Sequence, residues 1–207
     1  VKTYFKQKIL PAVTLEDAET ARRLAETFLE NGLDVMEITF RTEAAAEAIE
    51  AIHNDFPEMH IGAGTLLTSD QVVEAVDAGA QFGLSPGLNE EVVLTALEEN
   101  FPFIPGVATP SEIEKALHYG LNILKLFPIK TLGETTFIKS LEGPYGYLDL
   151  QFIPMGGVKL SNLASYLECE SVIAGGGSWL APKSLLQAHN FKAIGEIVRE
   201  SIEIAGY

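Results

Sequence analysis

His60-Ile61-Gly62-Ala63-Gly64 is a short apolar run, and Thr68-Ser69-Asp70-Gln71 follows close behind it. The first segment has the length of a strand and ends in small residues. The second reads as a capping box, in which threonine and glutamine side chains satisfy free N–H groups at a helix start. Gly79 comes after the helical pattern and supplies a left-handed C-cap, which turns the chain into the next apolar run at residues 82–85. Residues 60–85 therefore predict one strand–helix unit leading into the next strand.

The same unit repeats on both sides of this stretch. Strands are predicted at 9–13, 35–40, 60–64, 82–85, 103–107, 123–127, 151–155 and 171–175. Their ends fall roughly 20 to 30 residues apart, the length of one βα unit. Between the first two, Ala18, Ala21, Leu24, Ala25, Phe28 and Leu29 keep a 3.6-residue period, with Glu16, Arg22, Arg23 and Glu26 on other faces. Thr109-Pro110-Ser111-Glu112 is a second capping box, with proline where its missing N–H costs nothing. Gly32 and Gly120 repeat the role of Gly79. Eight such units without a linker predict an α/β chain folded as a single (β/α)8 TIM barrel, one domain over residues 1–207. A doubly wound open sheet is the alternative; it would need a crossing point and usually fewer strands.

Composition narrows the partners. The formal net charge is −15, which argues against nucleic acid and anionic membrane surfaces, since both need a basic footprint. Small anionic substrates stay open, because a few local donors suffice for them. Hydrophobic residues make up 47% of the chain, enough for a large core, yet no apolar stretch reaches membrane-spanning length. The start, Val1-Lys2-Thr3-Tyr4-Phe5-Lys6, leads into no apolar signal-peptide core, so a cytoplasmic chain is expected. Cys169 is the only cysteine, which rules out an internal disulfide. His53, His60, His118 and His189 are scattered without metal-ligand spacing, and neither a dinucleotide fingerprint nor a Walker loop occurs. No metal and no cofactor are expected.

In barrels of this kind the active site lies at the C-terminal strand ends. Lys125 stands out inside the apolar run Ile123-Leu124-Lys125-Leu126-Phe127-Pro128. Lysine is rarely buried without a partner or a task, and burial of an amine favours its neutral, nucleophilic form. Two readings stand side by side: a Schiff-base nucleophile, or a lysine that snorkels to water or pairs with a carboxylate. Alternation puts Glu37, Thr39 and Arg41 on one face of the second strand and Ile123, Lys125 and Phe127 on one face of the sixth. If both faces point inward, Glu37 meets Lys125, either as a structural ion pair or as a proton shuttle beside an amine. Pro154-Met155-Gly156-Gly157-Val158 and Gly175-Gly176-Gly177-Ser178 end the last two strands. They suit a phosphate cradle at the usual place for this fold, or merely tight turns. Gly62-Ala63-Gly64-Thr65 and Ser85-Pro86-Gly87 leave room for a ligand, and turn chemistry explains both nearly as well.

These residues carry a resemblance. Glu37-Ile38-Thr39-Phe40-Arg41-Thr42, Gly62-Ala63-Gly64-Thr65, Ser85-Pro86-Gly87, Ile104-Pro105-Gly106-Val107, Leu124-Lys125-Leu126-Phe127-Pro128, Pro154-Met155-Gly156-Gly157-Val158 and Gly176-Gly177-Ser178 run in order over nearly the whole chain. The chain resembles the 2-keto-3-deoxy-6-phosphogluconate (KDPG) and 4-hydroxy-2-oxoglutarate aldolases, class I pyruvate aldolases of the (β/α)8 fold. The resemblance implies Lys125 as the Schiff-base lysine and Glu37 as the general acid/base. It implies Arg41 and Thr65 for the pyruvyl carboxylate, Pro86 for the pocket wall, and Gly156, Gly157, Gly176, Gly177 and Ser178 for the phosphate. It also implies a homotrimer that acts on a 2-keto acid and a phosphorylated sugar acid in the Entner–Doudoroff pathway.

Two positions depart from that pattern. The family has threonine before the paired glycines of strand seven, where its hydroxyl meets the hydroxyl-bearing part of the substrate; here it is Met155. Some relatives end strand one with arginine, whereas this chain has Val13-Thr14, which leaves Arg41 as the main fixed cation for the carboxylate. Other readings stay open on the residues: the galactonate epimer of KDPG as substrate, a non-covalent phosphate-binding isomerase or epimerase, and a non-catalytic sugar-phosphate binder.

Overall fold

The computed structural model describes residues 2–206. Among the described residues nine short strands occur, and helices separate them everywhere except between the fifth and sixth. The strands are β1 (Ile9–Val13), β2 (Val35–Thr39), β3 (His60–Gly64), β4 (Phe82–Leu84), β5 (Phe103–Ile104), β6 (Gly106–Val107), β7 (Ile123–Leu126), β8 (Gln151–Pro154) and β9 (Gly175–Gly177). The helices are α1 (Ala18–Glu30), α2 (Ala45–Asp55), α3 (Ser69–Asp77), α4 (Glu90–Glu98), α5 (Pro110–His118), α6 (Ile129–Leu132), α7 (Glu134–Tyr145), α8 (Leu160–Leu167), α9 (Lys183–Gln187) and α10 (Phe191–Ile204). All ladders are parallel, so the C-terminal strand ends share one side of the molecule. The architecture is an α/β fold with a curled parallel sheet covered by helices.

The helix signals act as their chemistry dictates. Thr109 accepts from Glu112 N–H while the Glu112 carboxylate accepts from Thr109 N–H, a complete capping box. Thr68 caps α3 in the same way, but the Gln71 side chain reaches one residue further back and accepts from Leu67 N–H at 2.8 Å. Gly32, Gly79 and Gly120 each take positive φ behind their helices, as predicted. Helix α1 buries Ala21, Leu24, Ala25 and Phe28, the face read from the 3.6 period.

The strands differ from expectation at two seams. Residues 103–107 form two strands instead of one, because Pro105 has no N–H to give to a ladder. Its carbonyl still accepts from Lys125 N–H at 3.0 Å, so the chain steps from one sheet to the next at this residue. The ladders accordingly run β5-β4-β3-β2-β1-β9 and β6-β7-β8. The second seam is at 171–175, where pairing with β8 shrinks to one bridge between Phe152 and Val172. The ladder with β1 is made instead by Gly175–Gly177, in register Ile9↔Gly175 and Pro11↔Gly177. The glycine cluster expected at the end of the last strand, with only Gly175 inside it, therefore forms the strand itself. It is glycine for space: a Cβ on Gly175 would lie 2.6 Å from Leu163, and one on Gly176 would lie 2.8 Å from Met155.

The core follows from the same pattern. Ile9, Leu10, Val35, Met36, Ile38, Ile61, Phe82, Leu124 and Leu126 are fully buried, some on the helix-covered face of the strands and some on the inner face that carries Glu37. Among the described residues no helix is long and apolar enough to cross a membrane.

Candidate active site

Every residue of β2 is buried, including Glu37 and Thr39. Strand β7 buries Lys125 in the same way. Glu37 is 1% exposed and Lys125 5%, although each takes an ionisable group out of water. Lys125 Nζ stands 3.7 Å from Glu37 Oε1, close enough for an ion pair and too far for a hydrogen bond. Neither Glu37 oxygen has a hydrogen-bond partner within the protein. A buried acceptor left unpaired is costly and calls for a reason. Lys125 Nζ also lies 5.3 Å from the Phe127 ring centroid, in cation–π range. Gly64 gives the carboxylate its place, since a Cβ at that position would overlap Glu37 Oε1.

Arg41 leaves the end of β2, and its Nε donates to Thr65 Oγ1 at 3.2 Å. Thr65 holds φ at 60°, an uncommon backbone state for a non-glycine residue that marks an over-determined position. Thr39 Oγ1 lies 3.1 Å from the Val13 carbonyl and 2.8 Å from Thr14 Oγ1, which ties β1 to β2 just above Glu37. Gly156 and Gly157 turn the chain after β8 with φ of 81° and 123°. A side chain on Gly157 would overlap Lys130.

These groups surround one cavity of about 340 Å³ at the C-terminal strand ends. Glu37, Arg41, Lys125, Met155, Gly156, Gly157, Gly177 and Ser178 all line it. Three residues expected at the site stand outside its lining. Thr65 reaches it only through Arg41. Gly176 lies beneath Met155, whose side chain covers it. Pro86 packs its carbonyl where a Cβ on Gly106 would be, against β6. Ala12 and Thr14 line the cavity as well, and period-two alternation along β1 would have found them. Lys183 and Leu186 also line it. No motif announces them, because they lie several residues beyond the last glycine cluster, on a segment without a recognisable spacing.

The arrangement puts an amine, a carboxylate without a hydrogen-bond partner and a guanidinium around a space large enough for a small keto acid, with glycine-rich backbone at one end. Such a set can form an imine, move protons beside it, and hold an anion. Comparison with known proteins agrees with this class. Residues 2–197 match the family described as KDPG and KHG aldolase, and the aldolases are lyases. The chain belongs to the KDPG and KHG aldolase family. It is 45% identical over 197 residues to the 2-dehydro-3-deoxy-phosphogluconate aldolase of Haemophilus influenzae, covering 95% of this chain and 92% of that one. It is 38% identical to the KHG/KDPG aldolase of Escherichia coli K12, covering 94% and 91%. The crystal structure of the KDPG aldolase from Legionella pneumophila, with pyruvate captured as a covalent carbinolamine, superposes with a TM-score of 0.91 at 35% identity, covering 96% of each chain.

Proposed function

We propose that this chain cleaves KDPG to pyruvate and glyceraldehyde 3-phosphate through a Schiff base on Lys125, with 4-hydroxy-2-oxoglutarate, which yields pyruvate and glyoxylate, as a second substrate. The observation that carries it is Lys125, buried and 3.7 Å from a Glu37 carboxylate that nothing else in the protein engages. Glu37 takes a proton from the Lys125 ammonium, and the freed amine attacks the C2 carbonyl to give a carbinolamine. Glu37 returns that proton to the departing hydroxyl, and water leaves behind an iminium. Glu37, now a carboxylate, takes the proton of the C4 hydroxyl. The C3–C4 bond breaks, its electrons flow into the iminium, and the aldehyde departs from a pyruvyl enamine. Protonation at C3 and hydrolysis then release pyruvate and restore the amine.

Arg41 holds the C1 carboxylate in this reading, and Thr65 fixes the guanidinium through its hydroxyl. Gly156, Gly157, Gly177 and Ser178 offer backbone and hydroxyl donors to the phosphate. The two ladders act as one closed eight-stranded barrel in a single domain over 1–207, supported by the Pro105 step and the Phe152–Val172 bridge that span the seams. The protein works in the cytoplasm, as a homotrimer, at the KDPG cleavage step of the Entner–Doudoroff pathway.

Borohydride trapping tests the chemistry. Incubation with pyruvate and borohydride should leave one reduced adduct, which peptide mass spectrometry maps to Lys125. Lys125→Met should lose both the adduct and turnover of KDPG. A stable adduct on another lysine, or none on the intact protein, would sink the mechanism.

A further inference from the structure

We infer that Lys183 is a specificity-determining residue of this site, the cation that favours substrates carrying an anion at the end remote from the keto acid. The inference deepens the aldolase reading and rests on it. Arg41, Lys125 and Lys183 line the cavity, against the single carboxylate of Glu37. That is a local excess of positive charge in a chain with a formal net charge of −15. An anionic substrate therefore meets more cations than carboxylates along this cavity wall, although Glu16 and Asp17 border the neighbouring hollow that Lys183 also lines.

Each of the three cations has a different situation. Lys125 faces Glu37, and Arg41 is held by Thr65. Lys183 has neither a hydrogen bond nor an ion pair among the described residues. It is exposed, so its head is free to meet a ligand. Pro182 precedes it with φ at −56°, which stiffens the backbone that carries it. Ala181 and Leu186, from the same segment, line the cavity as well.

Its place on the ring matters. Strand order runs β9-β1-β2, so Lys183 after β9 and Arg41 after β2 stand two strands apart. Two strand spacings amount to roughly 10 Å. A six-carbon chain has five C–C bonds of about 1.5 Å each and spans roughly 6 Å before its phosphoester adds to the reach. A phosphorylated six-carbon keto acid held at Arg41 therefore brings its phosphate toward Lys183. The five-carbon dicarboxylate 4-hydroxy-2-oxoglutarate is shorter and stops nearer the middle of the cavity.

The test compares KDPG with its unphosphorylated analogue, 2-keto-3-deoxygluconate, on the full chain and on Lys183→Ala. The ratio of their kcat/KM values should fall at least tenfold in the variant, and Lys183→Arg should restore most of it. Inhibition by inorganic phosphate should weaken in parallel in Lys183→Ala. A ratio that stays within twofold overturns the inference. A common loss on both substrates overturns it too, since that marks a structural role. If the intact protein cleaves neither compound, the aldolase reading fails separately. Calorimetric binding of inorganic phosphate then decides about Lys183: weaker binding in the alanine variant upholds it, and equal binding overturns it.

Discussion

Glu37 and Met155 mark opposite ends of what a single residue can do in this cavity. Glu37 was legible in the sequence because alternation gives β2 and β7 one face each that carries Glu37 and Lys125, and the two meet when both faces point inward, as they do here. Lys183 was not, because an exposed lysine behind a glycine cluster follows no period and belongs to no motif. Met155 is 3% exposed and spreads over Gly176, whose missing Cβ makes the room for it. A thioether offers no hydrogen-bond donor, so under the proposed function the C4 hydroxyl of a substrate placed beside Met155 would meet an apolar wall. A site that does not pair a substrate hydroxyl discriminates poorly between its epimers. Met155→Thr should therefore raise the kcat/KM ratio between KDPG and its galactonate epimer severalfold. The smaller side chain also empties space above Gly176, at a cost of about 1 to 3 kcal/mol in stability. Side-by-side kinetics on the two epimers checks the first effect and thermal unfolding the second. An unchanged epimer ratio would count against a role for Met155 in stereochemical choice.

At the scale of elements, caps and helix faces were readable because they are local: Thr68, Thr109 and the C-cap glycines act within a few residues. The seams were not, because they depend on partners far along the chain. Pro105 could be seen in the sequence, but that it would divide a strand depends on which neighbour needs its N–H. The shift of the last strand from 171–175 to Gly175–Gly177 depends on Leu163 and Met155 claiming the space above the glycines. Helix α8 offers a separate test. Tyr166 is 1% exposed, its hydroxyl has no protein partner, and burial pushes the phenol up to about 12. In the unfolded chain a tyrosine ionises near 10. Below that pH both states keep the proton. Between about 10 and 12 only the unfolded state gives it up, so unfolding is favoured and stability falls as pH rises. Tyr166→Phe should flatten that alkaline decline while costing little at neutral pH, because it removes an unpaired buried hydroxyl. Urea unfolding from pH 8 to 11 measures both slopes; parallel declines in the two proteins would defeat the expectation. Cys169 is also pushed up by burial and remains in both proteins.

The whole molecule carries an uneven surface. Leu67, Val73, Leu94 and Leu97 are 51%, 39%, 42% and 40% exposed, unusually open for large apolar side chains. They belong to one region: Leu67 leads into α3, Val73 sits on it, and Leu94 and Leu97 lie three residues apart on α4. Thr95 donates to Ser69 at 2.8 Å, which holds the two helices together. Val92, Val93 and Ala96 already supply the buried face of α4, so Leu94 and Leu97 are surplus to the core. Scattered exposed leucines need no explanation, but a cluster on adjacent helices suits contact with another copy of the chain. Cyclic closure of such a contact gives a symmetric oligomer, and the homotrimer proposed above is the expected form. Light scattering after size exclusion should then report about three times the chain mass of 22.4 kDa. Leu94→Glu with Leu97→Glu should shift that mass toward the monomer, because carboxylates placed in an apolar contact lose their hydration without gaining a partner. Each subunit carries its own Glu37, Lys125 and Arg41 around one cavity, so trapping by borohydride should persist in the dissociated form. An intact protein that runs as a monomer at micromolar concentration, or a double variant that keeps the full mass, would remove this patch from the account of assembly.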